Sequence, residues 1–113
     1  MARYHQLVIY TLARENLRDI AEITRTMTGF GDLSNQMRRA AISVVSNISE
    51  GAATCRDAQF IRYLNTARAS ANELQAQLEI LVDLGGIQRA HTVHDRCDRL
   101  GRSITKLIRF LSG

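Results

Sequence analysis

The chain has 113 residues, 45% of them hydrophobic but only 5% aromatic, with no Pro and no Trp. That length fits one domain with a modest core, so residues 1–113 are expected to form a single unit, and an aliphatic chain free of proline favours long helices. Fifteen basic against 11 acidic residues give a net charge of +4, and no apolar run approaches the ~18–20 residues that a membrane span requires.

The first helix is expected from about Tyr4 to Met27, with Leu7, Val8, Tyr10, Leu12, Leu17, Ile20, Ala21, Ile23 and Met27 as its apolar positions. Their spacing is irregular before Asn16 and cleaner after it. Gly29-Phe30-Gly31 breaks the helix, because two glycines admit positive φ, and Asp32 is a candidate N-cap for the next one.

The second helix, Leu33 to about Glu50, has a wide apolar face. At about 100° per residue, Leu33, Met37, Ala40, Ala41, Val44, Val45 and Ile48 fall together, whereas Arg39, Ser43, Ser46 and Glu50 form a row on the other side. Ile42 lies outside the apolar stripe. Small residues at Ala40, Ala41 and Ser43 let neighbours approach closely, which marks a central helix of a bundle. Gly51 is placed as its C′ stop, and Thr54-Cys55-Arg56-Asp57 resembles a capping box.

The third helix is expected from about Asp57 to Leu84. Phe60, Leu64, Ala67, Ala71, Leu74, Leu78 and Leu81 recur at spacings of four and three, a heptad-like seam roughly 40 Å long at ~1.5 Å per residue. Gly85-Gly86 ends it. The fourth helix runs from about Arg89 or Ala90 to Leu111, with Val93, Cys97, Leu100, Ile104, Leu107, Ile108 and Leu111 as its apolar stripe. Four helices with short connections imply an all-α, antiparallel up-down-up-down four-helix bundle.

Opposite the apolar stripe of the fourth helix stand Arg96, Arg99, Arg102, Lys106 and Arg109. Five cations on one side, with only Asp95 and Asp98 nearby, can track a phosphate backbone. They equally suit a solvated face whose cations complement a helix C-terminus. Fourteen of the 15 basic residues are Arg. Its planar fork suits phosphate, although a GC-rich gene also favours Arg codons.

Arg38, Arg39, Asn47, Glu50 and Glu73 read as a polar network at helix or subunit contacts. Arg39 and Glu50 lie three turns apart and cannot pair directly within one chain. His91, His94 and Cys97 follow at three-residue steps, but nothing completes four ligands, so no metal site is expected. Cys55 and Cys97 read as free thiols, with Cys97 in the core. There is no nucleophile elbow and no glycine-rich phosphate loop after a strand. The expectation is therefore a non-enzymatic protein with no cofactor and no small-molecule substrate. The N-terminal apolar run ends too early for a secretory signal, so a cytoplasmic location is the default.

Two stretches carry a family resemblance. Residues 36–51, QMRRAAISVVSNISEG, and residues 63–85, YLNTARASANELQAQLEILVDLG, together resemble the ribosomal-RNA intervening-sequence proteins, the bacterial "four helix bundle proteins". The resemblance covers about residues 5–110. Arg39, Asn47, Glu50 and Glu73 match positions typical of the family, whereas Val45 stands where proline is common.

The resemblance implies a homo-oligomer, with relatives forming ring-like pentamers, and it makes Ile42, Val45 and the small residues of the second helix candidate subunit contacts. It also implies an association with RNA. A more distant similarity to the accessory variability proteins of retroelements, which partner a reverse transcriptase, points the same way. The other expectation is a protein-interaction scaffold without nucleic-acid contact. Only three Phe and three Tyr are present, and Phe60 reads as buried. RNA binding is therefore expected to be directed at the backbone and weakly specific.

Overall fold

The computed structural model describes residues 7–113. It contains four helices: α1 (Val8–Arg25), α2 (Leu33–Ala52), α3 (Asp57–Asp83) and α4 (Ala90–Ser112). The expected start of the first helix, at Tyr4, lies outside the described residues. Among the described residues there is no strand, and each helix packs against two others: α1 and α3 each lie against α2 and α4, with no diagonal approach. The body is 44 Å long, close to the length expected of α3 alone.

The core follows the seven-residue pattern most clearly on α3. Phe60, Leu64, Ala67, Ala71, Leu74, Leu78 and Leu81 are all buried, and they meet Met37, Ala40, Ala41, Val44 and Ile48 of α2 and Val93, Cys97, Leu100 and Ile104 of α4 in one cluster. On α1 the buried set is Ile9, Ala13, Ile20 and Ile23, while Val8 and Ala21, expected to face inward, are exposed. The reason is Asn16. It is only 2% exposed and occupies the core position between Ala13 and Ile20, so the true stripe runs 9, 13, 16, 20, 23. A polar residue on that stripe hid its period.

Gly85-Gly86 closes α3 as expected. Gly85 has φ +75°, its N–H donates to the Val82 carbonyl at 3.0 Å, and the Gly86 N–H donates to the Leu81 carbonyl at 2.9 Å, which together form a Schellman motif. Gly29 and Gly31 likewise take positive φ, +81° and +60°, between α1 and α2 as expected. Three other end signals differ from expectation. Gly51 is not a stop, because α2 continues through it to Ala52 and its φ is not positive. A Cβ there would lie 2.7 Å from Tyr63 Cβ and 2.9 Å from Phe60 Cδ1, so the glycine is required by the close approach of α3.

Asp32 makes no capping bond. With ψ near 4° it lacks the extended conformation that aims a cap side chain at the helix N–H groups. Its carboxylate instead accepts from Asn35 Nδ2 at 3.0 Å. Thr54 does not cap α3, whose N-cap is Arg56; its hydroxyl donates to the Gly51 carbonyl at 2.6 Å and so serves the end of α2.

Candidate nucleic-acid interface

The buried stripe of α4 fixes the rotation of that helix and turns Arg96, Arg99, Arg102, Lys106 and Arg109 to solvent. Their neighbours then divide them. Arg96 lies at the margin facing α1, where its Nη1 donates to both oxygens of Asp19, at 3.0 and 2.9 Å. Arg89 donates to the same carboxylate at 3.1 Å and also pairs with Glu22 at 2.8 Å. Asp19 is buried, so two guanidinium groups offset the cost of removing its charge from water. The hydrogen bond that Arg96 donates to Asp19, and then the charge of that carboxylate, push the Arg96 pKa above its ordinary value. The charge of Arg96 is thus committed to holding α1 on α4.

Arg102 pairs with Asp98 one turn earlier at 3.0 Å, with both groups open to water. Such a pair contributes little and yields readily to a better anion. Arg99, Lys106 and Arg109 have no acidic partner within salt-bridge distance among the described residues.

Two further arginines from other helices flank this face. Arg18 of α1 lines, with Arg96, Arg99, Glu15 and Asn16, a groove of about 470 Å³ between α1 and α4. The Asn16 Nδ2 at that level has no hydrogen-bond partner among the described residues. Arg68 of α3 shares a second groove with Arg102 and Thr105 on the other side of α4, and it donates to Asn65 at 2.8 Å. Neither arginine is periodic with α4, so only the chain's general excess of Arg hinted at them.

The α2 and α3 residues expected to form a polar network are not joined into one within the chain. Arg38 Nε donates to Thr24 Oγ1 at 2.7 Å, tying α2 to α1. Asn47 donates to the Ser43 carbonyl at 2.8 Å, and Ser43 meets Ser70 of α3 hydroxyl to hydroxyl at 2.8 Å. Glu73 accepts from Gln77 at 3.1 Å. Arg39 stands 3.6 Å from Asp32 and is largely exposed, as are Ile42 and Glu50, whereas Val45 is half-buried against the core.

His94 Nε2 lies 3.2 Å from Glu79 Oε2. His91 lines a hollow of about 170 Å³ with both, but among the described residues no three His, Cys, Asp or Glu converge as metal ligands do. Cys97 is buried and donates to the Ala71 carbonyl at 3.3 Å. Burial, and then the charge of Asp98, push its thiol up to about 12, so it is not a nucleophile at neutral pH. Cys55 is exposed, and both cysteines are free. Among the described residues no helix is long and apolar enough to cross a membrane.

Residues 5–106 match the family model described as the 23S rRNA-intervening sequence protein. The fold is similar to the crystal structure of a protein of unknown function from the S23 ribosomal protein family of Bacteroides thetaiotaomicron. The TM-score is 0.83 at 24% identity, over 89% of this chain and 98% of that one. At that identity the likeness speaks for the fold alone. Neither description names an enzyme. No curated protein matches the chain.

Proposed function

We propose, because the chain belongs to the 23S rRNA-intervening sequence protein family, that it is a non-enzymatic RNA-binding bundle protein whose α4 face contacts the phosphate backbone. The observation that carries this reading is the solvent-facing set Arg99, Lys106 and Arg109, without acidic partners among the described residues and flanked by Arg18 and Arg68. Arg102 joins the set once an anion displaces Asp98, and Arg96 borders it. Cations fixed on one rigid helix can follow a phosphate backbone without reading base edges.

The contact pairs support an antiparallel up-down-up-down course: Arg38 with Thr24, Ser43 with Ser70, Gln75 with Asp98 and Arg68 with Thr105. Thr24 near the end of α1 meets Arg38 near the start of α2, and along the α3–α4 seam the partners run in opposite order, 75 with 98 and 68 with 105. We further propose a homo-oligomer, a ring-like pentamer, in which the outer side of α2, with Arg39, Ile42 and Glu50, meets a second copy. Ile42 is 52% exposed on that side, and Ile80 of α3 is 47% exposed. Those exposed apolar side chains also favour the alternative, a protein-interaction scaffold that makes no contact with nucleic acid.

The test is binding of nuclease-treated protein to a labelled structured RNA across a salt series. The wild type should bind steeply salt-dependently. The triple variant Arg99→Ala/Lys106→Ala/Arg109→Ala should bind more weakly, with a log–log slope lower by about 2–3, since each lost phosphate contact removes ~0.7–0.9. An unchanged slope would refute the interface, and no binding at low salt would leave the scaffold reading. Light scattering tests the oligomer: a monodisperse monomer would rule it out.

A further inference from the structure

We propose that the α4 face takes single-stranded rather than duplex RNA, with Phe110 as the platform on which an unpaired base stacks. The proposal rests on the RNA-binding reading above and deepens it. Phe110 is 80% exposed, more than Val8, Leu84, Ile42 or Ile80, the other large apolar side chains left in solvent. The remaining phenylalanines behave differently: Phe60 is fully buried and Phe30 packs against the core.

Position on the helix ties Phe110 to the cations. At about 100° per residue, Phe110 lies roughly 20° around the axis from Arg99 and 40° from Lys106, eleven and four residues away. Along the axis that is about 16 Å and 6 Å at ~1.5 Å per residue. Arg109 is its chain neighbour. One turn earlier, Lys106 contributes to an otherwise mainly apolar groove of about 370 Å³ lined with Leu7, Val8, Ile9, Ser103 and Leu107. An aromatic face, an apolar slot and unpaired cations thus stand together at this end of α4.

This combination selects its partner by chemistry. An apolar protein surface seated on Phe110 would have to take Lys106 and Arg109 out of water without giving them an anion, which is costly. A nucleic acid supplies the anion and a π-face at once. In a duplex the base faces are covered by their neighbours, so only an unpaired base can stack on the ring. Lys106 and Arg109 also complement the C-terminal dipole of α4. That role leaves the exposure of the ring unexplained.

The experiment compares a labelled single-stranded RNA oligomer with the same oligomer annealed to its complement, for wild type, Phe110→Ala, Phe110→Trp and the triple cation variant. Phe110→Ala should lose roughly 5- to 150-fold in affinity for the single strand, the range that one base stack supplies, with duplex binding and the salt slope unchanged. Phe110→Trp should keep the affinity. Because the chain has no Trp, its fluorescence reports this position alone and should be quenched by the single strand but not by the duplex. Equal loss on both RNAs, an unquenched tryptophan, or a change in sedimentation mass caused by Phe110→Ala would each overturn the proposal. If binding depends on the cations but not on Phe110, only this inference falls. If neither RNA binds, the backbone-binding reading falls with it.

Discussion

Replacing Gly51 with alanine tests whether close helix packing, and not chain termination, explains that residue. In an open helix interior, Gly→Ala stabilises by about 0.5–1 kcal/mol, because alanine has less backbone freedom to lose. At Gly51 the added Cβ would sit 2.7 Å from Tyr63 Cβ and 2.9 Å from Phe60 Cδ1, whereas carbon atoms rest at ≈ 3.5–4.0 Å. Tyr63 Cβ is attached directly to the α3 backbone and cannot rotate away, so α2 and α3 must part by about 1 Å. Overpacking of this kind costs about 1–3 kcal/mol, which exceeds the helical gain and leaves a net loss of about 0.5–2 kcal/mol.

Gly101 of α4 provides the internal control. It is also helical, but its nearest neighbour to an added Cβ is Asn72 Oδ1 at 4.0 Å. Gly101→Ala should therefore stabilise by the ordinary 0.5–1 kcal/mol, roughly. Thermal unfolding followed by far-UV circular dichroism, at one protein concentration so that self-association does not move the midpoints, should show Tm falling for Gly51→Ala and rising for Gly101→Ala. Each kcal/mol is worth roughly 4–8 °C at this size. Equal shifts at the two sites, or a stabilised Gly51→Ala, would refute the packing argument.

Two further predictions concern α4. Asp19→Asn removes the carboxylate that holds Arg89 and Arg96. It should lower Tm by several degrees, against almost no change for Asp98→Asn, while RNA affinity at low salt holds or rises because Arg96 is released. Loss of RNA binding in a folded Asp19→Asn protein would contradict that division of labour. For Cys97 the folded pKa, about 12, lies above the usual 9.0, so the folded protein keeps a proton that the unfolded chain gives up. Stability from this group is full below about pH 9 and is lost toward pH 12 at about 1.4 kcal/mol per unit. Cys97→Ala should flatten the fall of Tm above pH 9, and a disulfide-exchange reagent at neutral pH should label Cys55 alone until the protein is denatured.

The fold was most legible where one helix meets its surroundings on an uninterrupted apolar stripe. Phe60 through Leu81 is such a case, and every member is buried. The α1 stripe was harder to see because Asn16 takes a core position, and a polar side chain there looks like a solvent position. Gly51 carried two meanings that sequence cannot separate: a glycine after a helical run looks the same whether it ends the helix or admits a neighbour. The difference lies in Tyr63 and Phe60, on another helix.

The cationic residues of α4 were legible from their spacing, but not their states of pairing. Asp19 is 77 residues from Arg96, so nothing local marks that arginine as taken. Arg18 and Arg68 were missed for the same reason. Phe110 stands in plain view at the end of the stripe, yet only the rotation of α4 separates it from the core.

The pairing of helices also bears on the order in which the chain assembles. Three of the four seams join helices that follow one another along the chain, so each can zip from its connecting turn at small entropic cost. The seam between α1 and α4 has no such turn. Its Asp19 contacts bridge 70 and 77 residues, and loop closure over that span is favourable only once the intervening helices are in place. The α1–α4 seam is then expected to close last on folding and to part first on opening. Amide hydrogens of α1 should exchange ahead of those of α3, and Asp19→Asn, which removes the ion pairs across that seam, should speed the exchange further.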